Sequence, residues 1–315
     1  FISHANSVEA RTQVRIAQLK ADRTVLSEIV NRQLTGERAG FGGGGIQAIQ
    51  GVLTTVSREL TQLRKKQQKQ ALARKERRRQ RARGGARTVG LAGYTNAGKS
   101  SLFSLLCGKE VLVENKLFST LETTIGRMEM SPRVLLVDTI GFIDELPSDL
   151  LDAFRATLDE SLQCDLLLIL VDSSDTTGEI ERKLSTSRRE ILDRSSDAIV
   201  PMQVILTKSD LGGDIELAKQ VVSQMGFIEP LVISSQSQEG LDNLRESILQ
   251  SLFGPQKTLT VSEGTVNEKS AKALISQIYD SGIVTEIKGL EITLWCCDTE
   301  LKRLMAKSEG RISLK

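Results

Sequence analysis

Eight consecutive residues, Gly93-Tyr94-Thr95-Asn96-Ala97-Gly98-Lys99-Ser100, fit the pattern G-x-x-x-x-G-K-[ST]. Glycines at the two ends let the backbone fold so closely that successive N–H groups, continuing through Ser101, can face the oxygens of a polyphosphate. Lys99 can then reach the β- and γ-phosphates, and the Ser100 hydroxyl can take a place on Mg²⁺. The flanks suit this reading. Arg87–Ala92 is a short apolar run of strand type, and Ser100–Cys107 has the pattern of a helix start. The bland alternative is a glycine-rich turn that matches by chance, and the flanks weigh against it.

A phosphate loop alone implies a nucleotide; four later stretches say which. Asp138-Thr139-Ile140-Gly141 follows a buried strand pattern, so Asp138 can hold Mg²⁺ through water while the Gly141 N–H meets a γ-phosphate. Thr207-Lys208-Ser209-Asp210 ends another strand. A carboxylate at Asp210 can accept from guanine N1–H and its exocyclic amine, a donor pair that adenine lacks, and the Lys208 stem can lie along the base. Ser234-Ser235-Gln236 ends the last strand, where backbone N–H groups can meet guanine O6. Between the first loop and Asp138 lies Phe118-Ser119-Thr120-Leu121-Glu122, whose Thr120 hydroxyl can complete the Mg²⁺ shell. Thr-Lys-x-Asp alone is common; all four motifs in this order define a GTP/GDP site with Mg²⁺ held by Ser100, Thr120 and Asp138. Lys99, Thr120 and Gly141 are the candidate catalytic groups. Phe142 stands where many GTPases carry a water-orienting Gln and cannot do that work, so hydrolysis is expected to be slow until a partner orders these loops.

The elements that must position these residues can be read from hydrophobic periodicity. Strands are expected at Val89–Gly93, Ile125–Met130, Val134–Asp138, Leu166–Asp172, Val200–Thr207 and Leu231–Ser234, with helices at 99–107, 147–163, 178–193, 214–225 and 241–253. Val134–Val137 and Leu166–Val171 are wholly apolar, as expected of strands covered on both faces. Alternation of strands and helices predicts a doubly wound α/β domain whose ligand sits at the carboxyl ends of the strands.

Ahead of that domain, residues 7–33 read as a helix with Ile16, Leu19, Leu26 and Val30 to one side. The stretch Gly36–Gly45 is too glycine-rich to hold regular structure. A second helix is expected from Ile46, and its Ile46, Ile49, Leu53, Val56, Leu60 and Leu63 make a heptad seam. Together these predict an antiparallel coiled-coil hairpin, the alternative being an amphipathic helix lying on a globular body. The seam then stops. Residues 64–87 carry twelve Lys/Arg against the single Glu76, about +11 in a chain of net charge +2, so the remaining residues sum to about −9. Arg74, Lys75, Arg77, Arg78, Arg79, Arg81 and Arg83, with no interleaved aromatics, suit RNA phosphate contacts better than base reading; a solvated linker helix is the competing reading. After Gly254 a small α+β module is expected: a strand at Thr258–Val261, a helix at Lys269–Asp280, one alternating stretch over Glu286–Cys296 with Leu290, Ile292 and Leu294 on one face, and a helix at Thr299–Ser308. Trp295, on the opposite side, reads as ordinary packing. The expected division is 1–85, 86–254 and 255–315.

Composition bounds what else is possible. At 315 residues, 39% apolar and 26% charged, the chain is long enough for two or three units. The longest apolar run, Leu166–Val171, is too short to span a bilayer, so no stable membrane insertion is expected. One histidine, His4, excludes a Ser-His or Cys-His machine in the body of the chain. The four cysteines lack metal spacing and are expected to be reduced, which suits a cytoplasmic setting; an organelle matrix stays open.

The motifs Gly-Tyr-Thr-Asn-Ala-Gly-Lys-Ser, Leu-Phe-Ser-Thr-Leu-Glu and Asp-Thr-Ile-Gly-Phe-Ile-Asp-Glu-Leu-Pro resemble those of the HflX family of translational GTPases, a TRAFAC-class P-loop family. So do Ala153-Phe-Arg-Ala-Thr-Leu-Asp-Glu and the early His4-Ala, Glu9-Ala-Arg and Ala17-Gln-Leu stretches. The resemblance implies that Phe1 onward is the end of a larger N-terminal domain, and that the protein binds the large ribosomal subunit and its rRNA with the hairpin loop near the peptidyl transferase centre; a monomer is expected. It also implies GTP-dependent splitting or rescue of stalled ribosomes. Two departures stand out. The family's hairpin loop usually ends Gly-x-Gly-x-Arg-Gly-Pro-Gly-Glu-Thr, and here it reads Arg38-Ala-Gly-Phe-Gly-Gly-Gly-Gly-Ile-Gln. The base-reading motif usually begins with Asn, and here with Thr207, which supports the loop more than it reads the base. Two other readings remain: a ribosome-assembly GTPase acting on precursor RNA, and a nucleotide-gated binding module in which hydrolysis is incidental.

Overall fold

The two wholly apolar runs are the middle of the protein. In the computed structural model, which describes residues 8–35, 43–83, 85–108, 124–129, 132–138, 164–194, 200–262, 268–308 and 310–315, they form β3 (Val134–Asp138) and β4 (Leu166–Asp172). With β1 (Arg87–Gly93), β2 (Thr124–Glu129), β5 (Met202–Thr207) and β6 (Leu231–Val232) they make a six-stranded sheet of order β2-β3-β1-β4-β5-β6. Strands β3, β1, β4, β5 and β6 run parallel, and β2 is antiparallel to β3. The sheet is therefore mixed, with its antiparallel strand at one edge.

Period-two alternation divides the core between the sheet's two faces. Leu166, Leu168 and Leu170 pack with Val89, Leu91 and Leu136 against Leu102 and Phe103 of α3 (Lys99–Cys107). Leu244, Ile248 and Phe253 of α6 (Leu241–Phe253) complete that layer. On the other face, Leu167, Ile169 and Val171 meet Ile180, Leu184 and Ile191 of α4 (Thr177–Arg194). Ala218 and Val222 of α5 (Ile215–Gln224) lie on the same side. The expected helix over 147–163 lies outside the described residues.

Helix α1 (Val8–Thr35) packs against α2 (Gly43–Arg83) through Ile16, Leu19, Val56 and Leu60, all buried, with Leu26 and Leu63 at the margin. A forked pair joins them: Arg15 Nε and Nη2 donate to the two Glu59 carboxylate oxygens at 2.8 and 3.2 Å. One expectation needs correcting here. Gly43, Gly44 and Gly45, placed in an irregular loop, belong to the first turn of α2. Glycine costs about 1 kcal/mol relative to alanine in a helix interior, but the long helix that follows carries the turn. Residues 36–42 lie outside the described residues. Beyond Leu63 the helix runs unbroken to Arg83, its 41 residues spanning roughly 60 Å at 1.5 Å per residue.

After α6, strands β7 (Lys257–Val261), β8 (Ile283–Lys288), β9 (Glu291–Trp295) and β10 (Ile312–Leu314) form an antiparallel sheet of order β10-β7-β9-β8. Helices α7 (Glu268–Ser281) and α8 (Asp298–Lys307) cover it over Leu259, Leu274, Ile292, Leu294 and Leu304. The single stretch expected over Glu286–Cys296 is instead divided between the end of β8, a turn and β9, which pair as a hairpin. Gly289, at φ +61°, turns the chain, a backbone state that a side chain disfavours, and Leu290 beside it is 42% exposed rather than in the apolar row. Trp295 leaves its own sheet's core altogether. It is 4% exposed and packs into the α6 face of the large sheet, with Leu252, Ile283 and Cys297 nearby. Among the described residues no helix is long and apolar enough to cross a membrane, and all four cysteines are free thiols.

Candidate nucleotide site

The loop leaving β1 closes over the carboxyl edge of the sheet. Gly93, at φ +140°, lies so near β4 that a β-carbon there would come within 2.4 Å of the Leu170 carbonyl oxygen, so only glycine fits. Asn96 and Gly98 are also left-handed, at φ 63° and 86°, and Gly98 caps the start of α3. Lys99, 7% exposed, bends back along this loop, its Nζ donating to the Tyr94 and Gly93 carbonyls at 2.6 and 3.2 Å. Burial pushes its ammonium down to about 8, a fall partly opposed by the nearby Asp138 carboxylate. The loop thus holds a cation at a cost in desolvation that an anionic ligand would relieve.

Asp138 ends β3 and is 1% exposed; its Oδ2 accepts from Ser100 Oγ at 2.9 Å. Two hard oxygen groups side by side beneath a phosphate loop fit Mg²⁺, which keeps several waters and takes substrate phosphates as ligands. Among the described residues no group of three or more His, Cys, Asp or Glu could hold a metal ion. Phe118, Ser119, Thr120, Leu121 and Glu122, with Thr139, Ile140, Gly141 and Phe142, lie outside the described residues.

Thr207 ends β5 beside the loop. Its Oγ1 is 2.9 Å from the Ala97 carbonyl and 3.1 Å from that of Val171, so the hydroxyl ties the phosphate loop to β4 and β5 together. Lys208 follows in left-handed backbone, and Asp210 lies in the short 3-10 turn Ser209–Leu211. Asp210 Oδ1 accepts from Ser234 Oγ at 2.5 Å, and that oxygen in turn accepts from the backbone N–H groups of Gln236 and Ser237 at 3.1 and 3.0 Å. One carboxylate oxygen is thereby fixed by the last strand-end loop, while Ser235 and Gln236 flank it. The structure brings together Gly93–Ser101, Asp138, Thr207–Asp210 and Ser234–Gln236 at one edge of the sheet. Of the basic residues, Arg74, Lys75, Arg77, Arg78, Arg79, Arg81 and Arg83 all lie on α2, and the Arg79 side chain is exposed.

Two features of this edge escape a linear reading. Asp172, the last residue of β4, accepts from Lys208 Nζ at 2.6 Å; the signal was a strand ending in a carboxylate, as β3 does at Asp138. Tyr94, buried beneath the loop, carries Arg182 and Lys183 of α4 within 5.5 and 5.9 Å of its ring centre, a cation–π brace for the first turn of the loop.

A phosphate loop with a buried lysine, a serine–aspartate pair and a fixed carboxylate at the third and fifth strand ends make this a P-loop GTPase. A family profile described as 50S ribosome-binding GTPase matches residues 88–208. The GTPase HflX of Methanocaldococcus jannaschii is 34% identical over 291 residues, covering 91% of this chain and 69% of its own length. That of Thermococcus kodakarensis is 32% identical across a 337-residue alignment, covering 98% and 75%, and that of Gluconacetobacter diazotrophicus 34% identical over 321 residues, covering 97% and 67%. A crystal structure of a GTP-binding protein from the hyperthermophilic archaeon Sulfolobus solfataricus, in complex with GDP, shares the fold at 24% identity and a TM-score of 0.52, covering 80% of this chain and 68% of that one. The chain belongs to the HflX family of GTPases, and its reaction is hydrolysis of GTP to GDP and phosphate.

Proposed function

We propose that this GTPase binds the large ribosomal subunit and uses GTP binding and hydrolysis to split or rescue stalled ribosomes in the cytoplasm, acting as a monomer. The observation that carries the reading is α2. It is one continuous helix that pairs with α1 along its first half, carries the basic cluster along its second half, and ends at Arg83, three residues before Ala86 leads into β1 and the phosphate loop. An element that touches RNA phosphates along Arg74–Arg83 is thus joined directly to the strand that delivers Gly93. The working division is a helical hairpin with a basic helix over 1–85, a GTP-binding domain over 86–254 and a small α+β domain over 255–315.

Within the site, the backbone of Gly93–Ser101 cradles the phosphates and Lys99 shifts from its carbonyl partners to the β- and γ-phosphates. Asp210 accepts from guanine N1–H and the exocyclic amine, with its orientation set by Ser234. The Lys208 stem lies along the base, and the Ser234–Gln236 backbone meets O6. Mg²⁺, where Ser100, Asp138 and Thr120 would hold it, neutralises charge on the β- and γ-phosphates. Thr120 and the Gly141 backbone position the attacking water, and Phe142 supplies no polar group to help. Turnover therefore waits for the ribosome to order these loops.

Sedimentation of mature ribosomes with the protein tests the reading. Particles should separate into subunits with GTP or a non-hydrolysable analogue and stay joined with GDP. Binding only to precursor particles would point instead to subunit assembly, and splitting that persists in Lys99→Ala with GTP present would point to a binding module with incidental hydrolysis.

A further inference from the structure

The end of β4 holds a carboxylate whose partner is the lysine of the base-side loop. Asp172 and Thr207 are paired in register on adjacent parallel strands, so the residue after Thr207 emerges beside Asp172. Lys208 does so at φ 58° and ψ 38°, a left-handed state that a β-carbon disfavours and that the chain keeps only where neighbours enforce it. Its Nζ donates to Asp172 Oδ2 at 2.6 Å, with both side chains largely sheltered. The other oxygen, Oδ1, accepts from Ser174 Oγ at 2.6 Å and from the Ser174 N–H at 3.0 Å. Those two bonds fix the carboxylate before the lysine reaches it. Charge-assisted bonds of this kind are short and directional, and they hold the four-carbon stem of Lys208 in one course next to Asp210.

We propose that Asp172 is a positioning residue for nucleotide binding: it sets the Lys208 stem against the purine face, while Asp210 reads the edge of the base. This rests on the assignment of Lys208 to the base. A loose lysine stem would lose rotamer entropy on each binding event, and the ion pair removes that loss in advance. Stacking is indifferent to the groups on the base edge, so the Asp172–Lys208 pair contributes affinity for purine nucleotides and Asp210 contributes the choice among them.

The test is equilibrium binding of GDP, IDP and inorganic tripolyphosphate to the whole chain carrying Asp172→Ala, Asp172→Asn, Lys208→Met, and Asp172→Ala with Lys208→Met. Asp172→Asn keeps the size and the Ser174 contacts, and circular dichroism and thermal melts establish that each variant is folded. GDP and IDP affinity should fall about tenfold in Asp172→Ala, and less in Asp172→Asn, with the GDP/IDP ratio and tripolyphosphate affinity unchanged. The double variant should bind GDP no worse than Lys208→Met alone, because the carboxylate acts through the lysine. If Lys208→Met weakens GDP but folded Asp172→Ala binds within twofold of the parent, or loses tripolyphosphate equally, the positioning role is overturned and the base assignment stands. If Lys208→Met leaves GDP affinity unchanged, the base assignment falls and the proposal with it.

Discussion

On the proposed assignment, Asp210 is where the choice of base is concentrated. Its Oδ1 is committed to Ser234, and its other oxygen is the acceptor assigned to the donors of guanine. Replacing Asp210 with Asn swaps one acceptor for a donor while keeping size and shape. GDP affinity should drop by about 100-fold in Asp210→Asn, because a site built around a hydrogen bond rejects the unmatched ligand strongly. XDP, which carries a carbonyl where guanine has its amine, should lose much less or gain; competition binding with both nucleotides measures this. An equal loss for the two would remove Asp210 from the base. Asp172 offers a separate handle through pH. Burial alone would raise its carboxyl, but the bonds from Lys208 and Ser174 outweigh burial and hold it below the ordinary 3.8. A native pKa below the unfolded one gives stability that is complete above about pH 4 and is lost as pH falls through the lower native value. Thermal melts of the parent and Asp172→Asn should therefore differ near neutrality and converge in strong acid. A gap that persisted at the acid end would mean the pair is not what Asn removed. The pairing itself was invisible in the sequence. Asp172 and Lys208 are 36 positions apart, and only the parallel register of β4 and β5 makes them neighbours.

Elements were legible where burial alone decides. Leu166–Asp172 is apolar to its last residue and Val134–Asp138 is wholly buried, so both strands stand where the apolar runs lie. Boundaries set by a neighbour were not legible. Gly43–Gly45 look like loop, yet they join α2 because the rest of the helix is long enough to carry a poor first turn. Gly289 lies inside what reads as one alternating stretch and turns it into a hairpin. The phosphate loop was legible because its glycine and lysine spacing is itself a sequence pattern, although what forces Gly93 is a neighbour, the Leu170 carbonyl of β4, 2.4 Å from where a β-carbon would sit. In the proposed reading, the function of the basic half of α2 lies in its charge. Replacing Arg77, Arg78, Arg79 and Arg81 together by Gln should weaken ribosome binding while GTP affinity stays unchanged. Each phosphate contact removed flattens the dependence of log affinity on log salt by somewhat under one, so the slope should fall by up to about 3. Ribosome pelleting from 50 to 300 mM salt gives this directly, and an unchanged slope would return the segment to a solvated linker.

At the scale of the molecule, the two sheets are joined by packing as well as by chain. Trp295 of β9 completes the core on the α6 face of the large sheet. Within the large unit, Arg245 of α6 holds Glu129 of β2, its Nε donating at 2.8 Å. Within the small one, Lys257, at the start of β7, donates to the Cys296 carbonyl at 2.9 Å and pairs with Asp298. Cys297 lies close enough to Arg87, the first residue of β1, for the guanidinium to favour its thiolate. Burial opposes that, but with the Thr299 hydroxyl and the Glu300 backbone the thiol is held below its ordinary value. The small C-terminal sheet is therefore seated at the strand that leads from the basic helix into the phosphate loop. Helix α2 enters that strand from one side, and the nucleotide edge lies at its far end. The proposed reading is that a ribosome bound along α2 acts through β1 on this nucleotide edge. Single-turnover GTP hydrolysis, with and without purified large ribosomal subunits at low salt, measures this most directly. Stimulation of at least about tenfold is predicted, and equal rates in the two conditions would contradict a ribosome-activated GTPase.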